Sequence, residues 1–315
     1  MTNKNYDDFI SGISEAINKD ISSEKERNRL QEKLLQLRKE KANIMIVGGT
    51  GVGKSSTINA LFDTTDAKVG VGVDPETMSI DRYEFGNVIL WDTPGLGHGV
   101  SEDERHKRNI IAKLNETDDS GSHHLIDLVL VVVDSSNRDM GTSYELIDLI
   151  IRNYSDKKRI IIGLNQCDMA MKGRFWNYKD NRPEPQLVDF LEKKVESIKR
   201  RISESNHIDI EPIYYSAGYT DGCEKQYPYN ISKLYFLIIK NLKDTKALVV
   251  SHKKSTQAEN FMRHDGMMDY EEESEGILKR AASTVFEKIC EAASFVKDTV
   301  SSVFSSVGNF FSGWF

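Results

Sequence analysis

One short stretch constrains this chain more than any other. Residues Gly48-Gly49-Thr50-Gly51-Val52-Gly53-Lys54-Ser55 follow the pattern G-x-x-x-x-G-K-S, between an apolar run at 42–47 and a helix-forming run at 56–62. The flanking runs predict a buried strand entering the turn and a helix leaving it. The glycines let the backbone curl so that successive N–H groups, those of Gly49 to Gly53 and of Ser55 and Ser56, point inward at phosphate oxygens. The helix N-terminus adds partial positive charge, Lys54 reaches the outer phosphates, and the Ser55 hydroxyl is placed for Mg²⁺. A strand–turn–helix of this kind belongs in an α/β fold and predicts binding of a nucleoside triphosphate.

The rest of the chain agrees with an α/β architecture. From residue 42 to about 244, apolar strands alternate with amphipathic helices, the pattern of a mostly parallel sheet. Residues 79–85 and 88–91 flank Gly86-Asn87 and predict a hairpin that adds one antiparallel strand. Residues 125–133 are almost continuously apolar, as expected of a strand covered on both faces. Further strands are predicted at 160–164 and 212–215. Helices are predicted from a capping box at Thr142-Ser143-Tyr144-Glu145 to about Asn153, and over 185–203 and 231–242. Before the sheet, Phe9, Ile10, Ile13, Ile17 and Ile21, then Leu30, Leu34 and Leu37, have helical spacing with a break near Ser22-Ser23. Four segments follow: N-terminal helices over 1–41, the α/β domain over 42–244, an acidic linker over 245–276 centred on Glu271-Glu272-Glu273, and an amphipathic helix over 277–315.

Composition narrows the partners. The chain has 315 residues and a net charge of −7, with basic residues only in short runs, which disfavours nucleic acid as the main partner. Its three cysteines, Cys167, Cys223 and Cys290, form neither a metal spacing nor a disulfide framework, and suit a reducing cytoplasm. The start of the chain is polar and acidic, unlike a signal peptide, and no run of about 18 apolar residues predicts a membrane span.

Phosphate binding leaves the base open, and four more features bear on it. Asp92-Thr93-Pro94-Gly95 follows the predicted strand 88–91. Asp92 there can hold a Mg²⁺-bound water, and the Gly95 N–H can meet the γ-phosphate. Asn165-Gln166-Cys167-Asp168 follows the strand 160–164. Guanine presents N1–H and N2–H₂ as paired donors on one edge, whereas adenine N1 is an acceptor, so an ionised Asp168 favours guanine. Asn165 is placed to steady the neighbouring loops. Ser216-Ala217 ends the last strand, where the Ala217 N–H would meet guanine O6. Thr77, in a glycine-bearing loop before the hairpin, is the candidate hydroxyl that closes on Mg²⁺ when the γ-phosphate is present. Thr64 and Thr65 compete for that role; Thr77 is preferred because it abuts the strand.

In this order the five elements resemble the P-loop GTPases of the translation-factor-related class, in particular the Era-like group. The resemblance covers residues 42–244. It implies a Ras-like sheet, GTP or GDP and Mg²⁺ as ligands, and Lys54 and Thr77 as catalytic groups, with Ser55, Thr77 and Asp92 serving the metal. Two departures stand out. Leu96 follows Gly95 where small Ras-type GTPases carry a water-orienting glutamine, which implies slow hydrolysis unless a partner, a second copy or another side chain supplies the missing group. His98 and the charged stretch from Glu102 to Arg108 lie nearby, and the stretch reads as a solvated helix face. Gln166 stands where relatives carry a lysine over the base, and its aliphatic stem can still pack there.

Residues 299–315 carry no charged side chain, a serine-rich face, and Phe304, Phe310, Phe311, Trp314 and Phe315. Such a helix packs on the chain itself or on another copy, or lies at a membrane surface through its rings. Three functions of different class follow. The leading one is a slow GTPase acting as a nucleotide-dependent switch on a protein partner or homodimer. The second is a membrane-associated, self-assembling GTPase resembling the dynamin-like and immunity-related groups. The third is a nucleotide-binding structural protein that scarcely hydrolyses.

Overall fold

A computed structural model describes residues 6–62, 68–70, 80–95, 100–118, 121–221 and 224–292. Thr64, Thr65, Thr77, Leu96, His98 and residues 299–315 lie outside this set, so the roles expected of them are not placed.

The sheet grows outward from β1 (Ala42–Gly48), whose seven residues are all buried. β1 pairs in parallel with β4 (Val88–Asp92) on one side and β5 (Leu128–Asp134) on the other. β6 (Ile160–Asn165) and β9 (Ile213–Tyr214) continue the parallel set beyond β5. On the far side, β3 (Asp81–Phe85) runs antiparallel to β4 and to the short β2 (Lys68–Gly70), giving the order β2-β3-β4-β1-β5-β6-β9. The expected α/β sheet with one antiparallel strand is therefore present.

Alternation along the central strands builds two cores. Ile44 and Ile46 of β1 and Leu128, Leu130 and Val132 of β5 face one side, while Met45, Val47, Val129, Val131 and Val133 face the other. The second face is covered by α4 (Val100–Asn115), α5 (Gly141–Asn153) and α6 (Pro185–Asn206). The first is covered by α3 (Lys54–Leu61), α7 (Ile231–Asn241), α8 (Asp244–Ser251) and α9 (Tyr270–Ala292), together with the N-terminal helices. Two small antiparallel ribbons, β7 (Trp176–Asn177) with β8 (Arg182–Pro183) and β10 (Tyr219–Asp221) with β11 (Glu224–Gln226), stand outside the main sheet.

The N-terminal helices are α1 (Tyr6–Asp20) and α2 (Glu24–Arg38), separated at Ser22-Ser23 as the spacing predicts. Ile10, Ile13, Ile17 and Ile21 are buried together with Leu30 and Leu34. Each such side chain contributes about 1.5–3 kcal/mol on leaving water. The pair is also tied by Tyr6 Oη donating to Leu37 O at 3.0 Å and Ser14 Oγ to Gln31 Oε1 at 2.9 Å.

Two expectations need correction. Residues 245–276 are not a solvated linker: Ala247, Leu248, Val249 and Val250 of α8, with Phe261, are buried in the first core, and Tyr270 is buried against the Phe236 ring. The acidic run Glu271-Glu272-Glu273 is the first turn of α9, where carboxylates complement the helix dipole. Asp269 caps that turn, its Oδ1 accepting the N–H groups of Glu271 and Glu272 at 3.1 and 3.0 Å. The final helix therefore begins at Tyr270 rather than 277. The second correction concerns α5, which starts at Gly141 with no side-chain cap from Thr142. Asp139 Oδ1 accepts the Gly141 N–H at 2.9 Å instead, one turn earlier than the expected capping box.

Candidate nucleotide site

The turn after β1 brings its glycines to the C-terminal edge of the sheet. Gly53 has φ +87°, and a Cβ there would lie 2.3 Å from Asn165 Nδ2, so both backbone and neighbour demand glycine. Lys54 opens α3 and folds back over the turn, its Nζ donating to Gly49 O at 3.1 Å and Gly48 O at 3.3 Å. Burial lowers the pKa of its ammonium, and the Asp92 carboxylate opposes that shift. Ser55 and Ser56 are exposed on the first turn of α3, open to a ligand. Thr57 Oγ1, one residue on, donates to Gly53 O at 2.8 Å and meets the hydroxyl of the buried Tyr215 at 2.8 Å.

The Asp92-Thr93-Pro94-Gly95 segment closes the other side. Thr93 donates its N–H and hydroxyl to Ile46 O at 3.1 and 3.2 Å, which fixes the exit from β4. A Cβ at Gly95 would fall 2.4 Å from Thr50 N, so this segment lies directly on the phosphate turn. Asp92 Oδ1 is buried with no hydrogen-bond partner among the described residues. Burial, first, and the Asp81 carboxylate push the Asp92 pKa up to about 6, while Lys54 pulls it down. Asp81 faces Asp92 across the hairpin. Counting back from the Gly86-Asn87 turn pairs these two residues, and that arithmetic alone would have found Asp81.

Between these walls lies a cavity of about 580 Å³, lined by Gly51, Lys54, Ser55, Ser56, Asp92 and Gly95. Asp81, Arg105 and His106 line it too, and the sequence had assigned them no role. His106 is only 6% exposed, so the stretch from Glu102 to Arg108 is not wholly a solvated face. An unpartnered buried carboxylate oxygen beside an exposed serine hydroxyl fits Mg²⁺, with Ser55 as ligand and Asp92 acting through water. Among the described residues there is no cluster of three His, Cys, Asp or Glu side chains able to hold a metal. Among the described residues this leaves one hydroxyl and one carboxylate, with the remaining positions open to phosphate, water and the Thr77 hydroxyl expected from the sequence.

The base end is organised by Asn165, 2% exposed at the end of β6. Its Nδ2 donates to Val52 O at 2.8 Å, and its Oδ1 accepts the Ala217 N–H at 3.0 Å. The steadying role expected of Asn165 is thus visible as a clasp between the phosphate turn and the 216–217 loop. In this structure the Ala217 N–H, expected from the sequence to meet guanine O6, is donated to Asn165. Gln166 adopts φ +59° and donates from Nε2 to Gly51 O at 2.8 Å, so its amide lies over the phosphate turn. Asp168 is buried, 4% exposed, in the short helical turn Cys167–Gly173. Ser216 pairs its backbone with Tyr229 at 3.0 and 2.9 Å, which sets the loop that carries Ala217. A second cavity of about 300 Å³ is lined by Ala217 and Ser56, so Ser56 borders both.

Comparison with known proteins agrees with this geometry. A family model described as "50S ribosome-binding GTPase" matches residues 43–166. A probable GTP-binding protein EngB of Methanococcus aeolicus is 35% identical over 96 residues, 28% of this chain and 41% of that protein. Translocase of chloroplast 126 of Physcomitrium patens is 33% identical over 104 residues, 31% of this chain and 9% of that protein. The matched stretches thus span less than half the length of these relatives. Among solved structures, Toc33 from Arabidopsis thaliana in complex with GDP and Mg²⁺ is similar, with TM-score 0.41 and 15% identity over 76% of this chain and 98% of that one. The G domain of the T. maritima FeoB iron transporter is similar over 64% of this chain and 99% of that one, with TM-score 0.37 and 19% identity. The phosphate turn, the Asp92-Thr93-Pro94-Gly95 segment and Asn165 thus lie together on one sheet edge, all within the residues, 43–166, that match this GTPase family model.

Proposed function

We propose that this protein binds GTP with Mg²⁺, hydrolyses it slowly to GDP, and acts as an Era-like, nucleotide-dependent switch on a protein partner or a second copy. One observation carries the reading: Asn165 hydrogen-bonds both the phosphate turn and the Ala217 loop, so the phosphate and base ends form a single preorganised unit. In that unit Lys54 neutralises charge on the outer phosphates, and Gly95 brings its N–H to the γ-phosphate. Ser55 and Asp92 hold the metal, which supplies charge stabilisation when bound. Asp168 selects guanine by accepting its paired N–H donors.

The switch part of the proposal rests on how α3 ends. Ser255 N–H donates to Leu61 O at 2.9 Å, and Asn260 Nδ2 donates to Ala60 O at 3.2 Å. Phe62 bridges to Lys254. Residues 254–260 thus hold the exit of the nucleotide-binding helix immediately before the segment that contains Thr77. A shift of α3 on nucleotide exchange would reach α8 and α9 through these three contacts.

Calorimetric titration of GDP and ADP tests the core of the reading. GDP should bind in Mg²⁺ and ADP should not, Lys54→Ala should abolish GDP binding, and Asp168→Asn should erase the preference for guanine. Equal affinity for both nucleotides, or unchanged affinity in both variants, overturns it.

A further inference from the structure

Leu96 has no hydrogen-bonding atom in its side chain, so a chain with this phosphate site must orient the attacking water by another group. α4 offers one. His106, Ile110 and Leu114 recur every four residues along that helix and form its buried stripe. Ile110 and Leu114 enter the second core, whereas His106, at the upper end of the stripe, lines the phosphate cavity with Lys54 and Asp92. Its side chain is buried, and Nδ1 has no hydrogen-bond partner among the described residues. A packing residue at that point would serve better as leucine or methionine, because a buried unpartnered ring nitrogen is unfavourable. The helix that carries it is held in place: Lys107 bridges Glu104 at 3.1 Å and Glu145 of α5 at 3.5 Å.

We propose that His106 is a catalytic residue that hydrogen-bonds the attacking water, replacing the glutamine for which Leu96 stands. The inference rests on the GTPase reading above. The water oxygen bonds to the γ-phosphorus as the bond from that phosphorus to the β–γ bridging oxygen breaks. GDP departs with the bonding pair; one proton of the water stays on the attacking oxygen and the other passes to a second oxygen of the released phosphate. The Nδ1 atom of His106 accepts a hydrogen bond from the water, orients it in line, and ends the cycle unchanged.

The test uses the full chain in Mg²⁺, with single-turnover release of phosphate from GTP and calorimetric affinity for GDP measured side by side. His106→Leu should slow hydrolysis by about 10²-fold, the scale of one lost transition-state hydrogen bond, and leave GDP affinity within about twofold. His106→Gln, which keeps a hydrogen-bonding amide, should be much faster than the leucine variant. Wild-type turnover in His106→Leu overturns the inference and leaves the GTPase reading intact, as does GDP affinity falling in step with rate in both variants. Failure of the wild-type chain to bind GTP overturns both.

Discussion

Asp92 puts stability and ligand binding in opposition, and the structure sets the size of the conflict. Its carboxyl is half-buried and faces the Asp81 carboxylate, and its pKa is raised from 3.8 to about 6. The folded chain thus holds this proton to higher pH than the unfolded chain. Between about pH 4 and 6 folding takes up a proton, stability falls as pH rises, and above 6 the full cost is present. Full conversion of the pKa difference gives about 3 kcal/mol. Solvent screening at a partly exposed side chain reduces that to about 1–2 kcal/mol. Asp92→Asn should therefore stabilise the nucleotide-free protein in EDTA at pH 7.5 by about 1–2 kcal/mol, or roughly 2–6 °C in Tm. The same substitution removes the carboxylate proposed to serve the metal and should weaken Mg²⁺-dependent GDP binding by about 10–100-fold. Urea unfolding at pH 4 and 7.5 reads the first effect, which should be absent at pH 4, and calorimetry in Mg²⁺ reads the second. An Asp92→Asn protein less stable than wild type in EDTA at pH 7.5 would refute the electrostatic argument. Undiminished GDP affinity in Mg²⁺ would refute the metal assignment.

Two further outcomes follow. Asp269→Ala removes the acceptor for two N–H groups at the start of α9 and should cost about 1 kcal/mol; unchanged unfolding would show that the cap is dispensable. In a liposome flotation gradient, the switch reading expects the full chain and a chain ending at Asp298 to remain together in the bottom fraction. Flotation of the full chain alone would replace it with a membrane-acting GTPase that uses residues 299–315.

Much of this protein is legible from sequence because its signals are local. The phosphate turn needs positive φ at Gly53 and a following helix, and both are written within a few residues. Strand and helix positions follow from apolar spacing, and the break at Ser22-Ser23 and the hairpin at Gly86-Asn87 appear where spacing and turn chemistry put them. Acidic composition was a poor guide at residues 265–275, because carboxylates suit both a solvated linker and the first turn of a helix. Only Ala247, Leu248 and Phe261 entering a common core, with Tyr270 buried at the start of α9, decide between these. What tertiary structure alone decided is who meets whom at the site. Asn165 takes the Ala217 N–H across 52 residues of chain, and Tyr215 reaches Thr57 across 158. His106 is carried into the phosphate cavity by the packing of α4 rather than by any motif. Local conformational preference is encoded in neighbouring residues, whereas partners distant in the chain are chosen by how the buried faces of the sheet and helices fit together.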